Sequence, residues 1–111
     1  MFVKKSNVQV FQKPTCTIYE YGGTKNLDLA VAEIKDKYPE KGWARNKEVD
    51  ETYFIISGSG RFYFENETFD ITEGDLVLIE KGRWYRFEGN AKIVIACSPA
   101  WSVEQYEEKE E

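Results

Sequence analysis

Short apolar runs rich in β-branched and aromatic residues follow one another along most of this chain. They cover residues 15–21, 52–57, 61–65, 68–72, 76–80, 83–88 and 92–97, and their composition is that of β-strands. Turn signals separate them: Gly22-Gly23, residues 39–42, Ser57 to Gly60, residues 65–67 and 73–75, Lys81-Gly82 and Gly89-Asn90. From Thr52 onward the spacing is that of consecutive antiparallel hairpins, which predicts a sandwich or a barrel. Ser57-Gly58-Ser59-Gly60 reads as a tight turn rather than a phosphate loop, because no helix follows to offer its N-terminus to an anion. One segment reads two ways. Leu27, Ala30, Val31, Ile34 and Tyr38 fall at helical spacing, and the Ala, Lys, Glu and Asp content slightly favours a helix. With period two, Leu27, Leu29, Val31 and Glu33 share one face instead. The acidic tail, residues 102–111, offers Ser102 and Gln105 as the cap of one helical turn and then reads as a solvated, frayed end.

Composition narrows the picture. The chain has 111 residues, the size of one domain covering 1–111. Hydrophobic residues make up 41% and charged residues 32%, a composition that can form a packed core rather than a disordered chain. The formal charge is −5 with no basic block, so nucleic acid and anionic membrane are not expected partners. No apolar run is long enough for a transmembrane helix, and the start shows no secretory signal, so a cytoplasmic location is the expectation. The chain has no histidine, which removes the commonest general base and transition-metal ligand together. Ser98 therefore has no histidine to activate it in a hydrolase triad. Cys16 and Cys97 lie in apolar runs far apart in sequence and read as buried free thiols.

The most informative segment runs from Gly42 to Gly60. Arg45, Lys47 and Glu51 share parity, so an extended strand projects them from one face, with Glu48 and Asp50 on the other. Tyr53 and Ile55 carry the first face into the core. Two cations and a carboxylate leading into a buried row need partners, because an isolated buried charge is costly. They pair with one another or face a polar cavity. Phe62, Tyr63, Phe64 and Phe69 read as core or dimer packing, and Arg86, opposite in parity to Tyr85, as an outer-face residue.

These residues resemble the cupin family. Its first motif reads Gly, five residues, His-x-His, three or four residues, Glu, six residues, Gly; here Glu51 is followed by six residues and Gly58. Counting back from Glu51 places Lys47 and Arg45 at the two histidine positions, while Gly42 falls too close to Arg45 to match the leading glycine. In the second motif Gly74 and Gly82 match, Glu80 replaces the proline, Tyr85 the histidine and Gly89 the asparagine. The resemblance covers residues 27–101. It implies an all-β, single-domain, double-stranded β-helix (a jelly-roll barrel).

In cupins that bind metal, the ligands are the three histidines and the glutamate. Here those positions read Arg45, Lys47, Glu51 and Tyr85, and two cations repel a metal ion. The expectation is no metal and no cofactor. The resemblance points Arg45, Lys47, Glu51, Tyr53 and Tyr85 inward near one mouth, rimmed by Trp43, Trp84 or Trp101. That set suits a small polar or anionic ligand of the sugar or sugar-acid class. The competing arrangement is a barrel plugged by a Lys47–Glu51 ion pair. Two functions are open: a metal-independent binding module, or a metal-independent isomerase or epimerase with Tyr85 as acid and Lys47 or Glu51 as base. Cupins commonly dimerise, so a homodimer is expected, with residues 2–10 and 15–21 pairing with a second subunit.

Overall fold

A computed structural model describes residues 1–111. The chain forms ten antiparallel strands: β1 (Gln9–Lys13), β2 (Cys16–Thr24), β3 (Leu27–Ile34), β4 (Lys37–Tyr38), β5 (Trp43–Asn46), β6 (Asp50–Phe64), β7 (Glu67–Thr72), β8 (Leu76–Ile79), β9 (Tyr85–Ser98) and β10 (Tyr106–Lys109). There is no α-helix; 3-10 turns occupy Lys5–Asn7 and Val103–Gln105. The fold is an all-β jelly roll whose spine is β9. On one side β6 accompanies it over its whole length, from Asp50 opposite Ser98 to Phe64 opposite Tyr85. On the other side β3, β4 and β5 follow in turn. Strands β2 and β1 extend the sheet beyond β3, β10 extends it beyond β5, and β7 and β8 pair with β6.

Residues 27–34 are strand, not helix. Asp28, Ala30, Ala32 and Ile34 turn inward, while Leu27, Leu29 and Val31 face out. Pairing with β2 and β9 on both sides satisfies the backbone groups of β3, and this tertiary context overrides a weak helix propensity. Three expected turns are also not turns. Ser57 to Gly60 lies inside β6 and Gly89-Asn90 inside β9, where the two strands bend together. A bulge between Ile55 and Ser57 shifts the inward phase, from Glu51, Tyr53 and Ile55 to Phe62 and Phe64. Glycine is required at this bend. A Cβ on Gly58 (φ 91°) meets Asn90 O at 2.1 Å, and one on Gly60 meets Glu88 O at 2.4 Å and the Phe87 ring at 2.5 Å. Gly22-Gly23 likewise belongs to β2, and the reversal comes at Lys25-Asn26.

The acidic tail is not frayed. After one 3-10 turn, β10 pairs with β5, placing Glu107 opposite Arg45 and Lys109 opposite Trp43. Ion pairs Arg45–Glu107, Arg86–Glu111 and Lys109–Glu65 fasten it. The cations of β5 and β9 thus find partners on a tail whose charge alone suggested solvation.

Aromatic side chains pack one end of the barrel. Phe62 stacks on Phe69 and Tyr85 (centroids 5.7 and 5.9 Å) and meets Tyr53 edge-on at 5.7 Å. Phe64, Ile71 and Phe87 complete that end.

Candidate functional site

The other end is hollow. Three inward rungs cross the sheet from β2 and β3 through β9 to β6: Ile18–Ala32–Ile93–Ile55, Glu20–Ala30–Ile95–Tyr53, and Asp28–Cys97–Glu51. Alanine occupies the β3 position on two of them. The space left is a cavity of about 660 Å³, the size that holds a small organic molecule. Its wall is mostly apolar, with Glu51, Tyr53, Tyr85, Glu20 and Asp28 as polar groups and Trp101 and Tyr106 from the tail along one side.

Glu51 is the centre of the polar constellation. It is 6% exposed and faces the cavity from β6. Its carboxylate accepts hydrogen bonds from Asn46 Nδ2 at 3.1 Å, Tyr85 OH at 3.1 Å and the Cys97 thiol at 3.8 Å. The orientation of Asn46 follows from its other contacts. Trp101 Nε1 (3.1 Å) and Gln105 Nε2 (2.9 Å) both donate to Asn46 Oδ1, which leaves Nδ2 to donate to Glu51. The tail therefore holds the amide that holds the carboxylate. Burial pushes Glu51 up to about 7, against the downward pull of the Tyr85, Asn46 and Cys97 donors. The group is thus poised to gain or lose a proton near neutral pH. Burial and the adjacent Glu51 charge raise Tyr85 well above the usual phenol range, so it stays a neutral donor. Desolvation also raises both thiols, Cys16 to about 11 and Cys97 further under the charge of Glu51, so neither is a ready nucleophile.

The structure brings together Glu51, Tyr53 and Tyr85 of the expected set, and not Arg45, Lys47 or Trp43. The reason is a phase change. Ala44 and Asn46 point inward from β5, the chain bends at Lys47-Glu48, and Val49 and Glu51 resume the inward face. Gln105 stabilises the bend: its backbone oxygen accepts Lys47 N–H (2.9 Å) and its side chain accepts Glu48 N–H (3.2 Å). Strand parity carried across that bend therefore fails. Arg45 lies outside on the Trp84 ring and pairs with Glu107; Lys47 is exposed and does not pair with Glu51. Trp43 stacks outside with Arg86. Lys13, exposed at the mouth over the Tyr38 and Tyr106 rings, is the one cation on the cavity wall.

The sequence reading missed Asn46, Cys97, Glu20, Asp28 and Gln105. Asp28 and Cys97 carried a signal: each shares parity with an inward apolar row once its strand is known. Gln105 carried none, since its role depends on the tail folding back.

The family's usual metal does not fit this donor set. Glu51 is surrounded by an amide, a phenol and a thiol, and no three His, Cys, Asp or Glu side chains are grouped to hold an ion.

Known proteins place the fold. A likeness to a Streptomyces PAC13 variant solved with uridine has TM-score 0.90 at 16% identity, covering 99% of this chain and 90% of that one. Pac13, described as a unique nucleoside dehydratase, matches at 0.90 and 17%, covering 99% and 91%. Ectoine synthase from P. lautus matches at 0.78 and 18%, covering 98% and 90%. None of the curated proteins matches the sequence. The family model for the cupin domain matches residues 32–97, more than half of the sequence. The chain belongs to the cupin family.

Proposed function

We propose that this chain binds a small hydroxylated molecule of the sugar or nucleoside class in the barrel cavity, without a metal. The observation that carries the reading is Glu51: a buried carboxyl, pushed up to about 7, that faces a cavity of ligand size beside the Tyr85 phenol. Such a pair can both accept from and donate to a ligand hydroxyl. Trp101 and Tyr106 offer flat faces for a ring. With Arg45 and Lys47 outside, three acids and only one cation line the cavity, which favours a neutral ligand over a sugar acid. The nucleoside in a fold neighbour's crystal makes uridine the natural first probe. Calorimetric titration is expected to show uridine or ribose binding, weakened about tenfold or more in Glu51→Gln, the loss of a charged hydrogen bond. No binding of either probe would overturn the reading.

The raised carboxyl favours a second reading, metal-independent proton transfer of the isomerase, epimerase or dehydratase kind. Glu51 is the base and Tyr85 the acid. Turnover of a sugar substrate should survive exhaustive chelation and fall on the order of a hundredfold or more in Tyr85→Phe. Turnover that requires added metal would exclude it.

We also infer a homodimer, on a different face from residues 2–10. Tyr19, Val31, Val94, Phe54 and Leu76 line up in register on the outside of five adjacent strands, with Leu29, Ala96 and Leu78 on the next rung. A second copy turning the same uncharged face inward covers both. Light scattering should give a dimer that Phe54→Glu converts to monomer.

A further inference from the structure

A pair of carboxyls on β2 and β3 is unaccounted for by the Glu51 site. Asp28 on β3 is 8% exposed and lies on the cavity side of its strand. Its Oδ2 accepts Trp101 N–H at 3.3 Å, while its Oδ1 is buried with no donor from the rest of the chain. A buried carboxylate oxygen without a donor is costly, so it requires a proton from a neighbour or a ligand. The neighbour is Glu20, half-buried on β2 and also on the cavity wall. Its register breaks at the bulge between Glu20 and Gly22, where the Gly22 N–H donates to Glu20 Oε1 at 2.9 Å. Burial, then the Asp28 carboxyl, push Glu20 upward. The protonated form of Glu20 is therefore favoured, which places a donor on the same wall as the Asp28 oxygens. Cys97 and Glu51 along the Asp28 rung and Tyr53 along the Glu20 rung are the other titratable groups on these rungs, and Lys13 is the one cation lining the cavity.

We propose that Glu20 and Asp28 form a second polar subsite of the cavity, which takes the vicinal diol or ring hydroxyl of the bound molecule. The inference rests on the sugar or nucleoside reading above and names the residues that would recognise its hydroxyls. A protonated Glu20 beside the Asp28 oxygens offers one donor and several acceptors. That matches a hydroxyl, which both donates and accepts. An ammonium group only donates and would leave the Glu20 proton unmatched. Trp101 links the subsite to the Glu51 site, with its backbone N–H on Asp28 and its indole N–H on Asn46, so one ligand lying along Trp101 reaches both.

The test compares uridine with 2′,3′-dideoxyuridine on the full chain, by calorimetry and by carboxyl carbon NMR. Wild type should bind uridine about tenfold or more tighter than the dideoxy compound, the range of a hydrogen bond to a charged acceptor. The Glu20 and Asp28 signals should shift on binding. In Asp28→Asn that preference should shrink to about threefold or less. Asparagine keeps an oxygen for Trp101 N–H, and Glu20→Gln serves as an independent variant if Asp28→Asn melts early. Equal affinity for both compounds in wild type, with Glu51 shifting and Glu20 and Asp28 still, would overturn the subsite and leave the Glu51 reading standing. Tighter binding of 3′-amino-3′-deoxyuridine would reassign the pair to a cation and also overturn it. Shifts at no cavity carboxyl with any probe would remove both.

Discussion

The two ends of the barrel are built from the same strands and put to opposite uses. At one end β6 and β9 carry Phe62, Phe64 and Phe87 inward, and with Phe69 and Ile71 from β7 they fill the interior. At the other end the same two strands carry Glu51, Tyr53, Ile95 and Cys97, facing Ala30 and Ala32 across the sheet. Small side chains there leave about 660 Å³ open, lined by the buried acids Asp28 and Glu51 and the half-buried Glu20. The bulge and glycine bend between Ile55 and Gly60 separate the two regimes and reset the inward phase. A packed end can support a poorly packed, charge-bearing one in a single sheet. Local departures from good packing and polar satisfaction coincide with the candidate site.

The sharpest way to break this comparison is truncation. Phe62→Ala should cost about 3–5 kcal/mol in denaturant unfolding, because its ring is fully enclosed. Ile95→Ala, beside the cavity, should cost less than half of that. Equal costs would mean the open end is packed after all.

Glu51 supplies the next effect. The folded protein holds its proton up to about 7, whereas the unfolded chain releases it near the ordinary glutamate value of 4.5. The folded state therefore binds more protons between those values, and stability falls as pH rises through that window, by about 3 kcal/mol. Glu51→Gln should flatten the decline between pH 5 and 8. A wild-type profile that rises through neutrality and is unchanged in the variant would contradict the assignment.

Filling the cavity separates binding from folding. Ala30→Leu should leave stability within about 1.5 kcal/mol while abolishing uridine binding, because the added methylenes enter open space. The smallest effect belongs to Lys47→Ala, expected within about 0.5 kcal/mol and without change in affinity, since Lys47 is exposed and faces away from the cavity.

Much of the barrel was legible. The strand runs after Thr52, the inward pair Glu51 and Tyr53, and the cupin resemblance all follow from period-two patterning and glycine spacing. What escaped was long-range. Residues 27–34 are strand because two neighbours pair with them, not through their own propensity. Ser57 to Gly60 carries a turn's composition, but its glycines serve close strand approach. Arg45 and Lys47 were assigned inward because parity was carried across a bend that Gln105, nearly sixty residues on, stabilises. The tail reads as solvent-bound until Arg45 and Arg86 are seen waiting for Glu107 and Glu111. Half of the candidate site, Asn46 with Trp101 and Gln105 behind it, depends on that return.

The most direct test of the central claim is a crystal structure of the protein soaked with uridine. The account predicts the nucleoside inside the barrel, within hydrogen-bond distance of Glu51 or Tyr85 and against Trp101, with Arg45 still on Glu107 outside. An empty cavity with uridine held on the outer face beside Arg45 and Lys47 would contradict it.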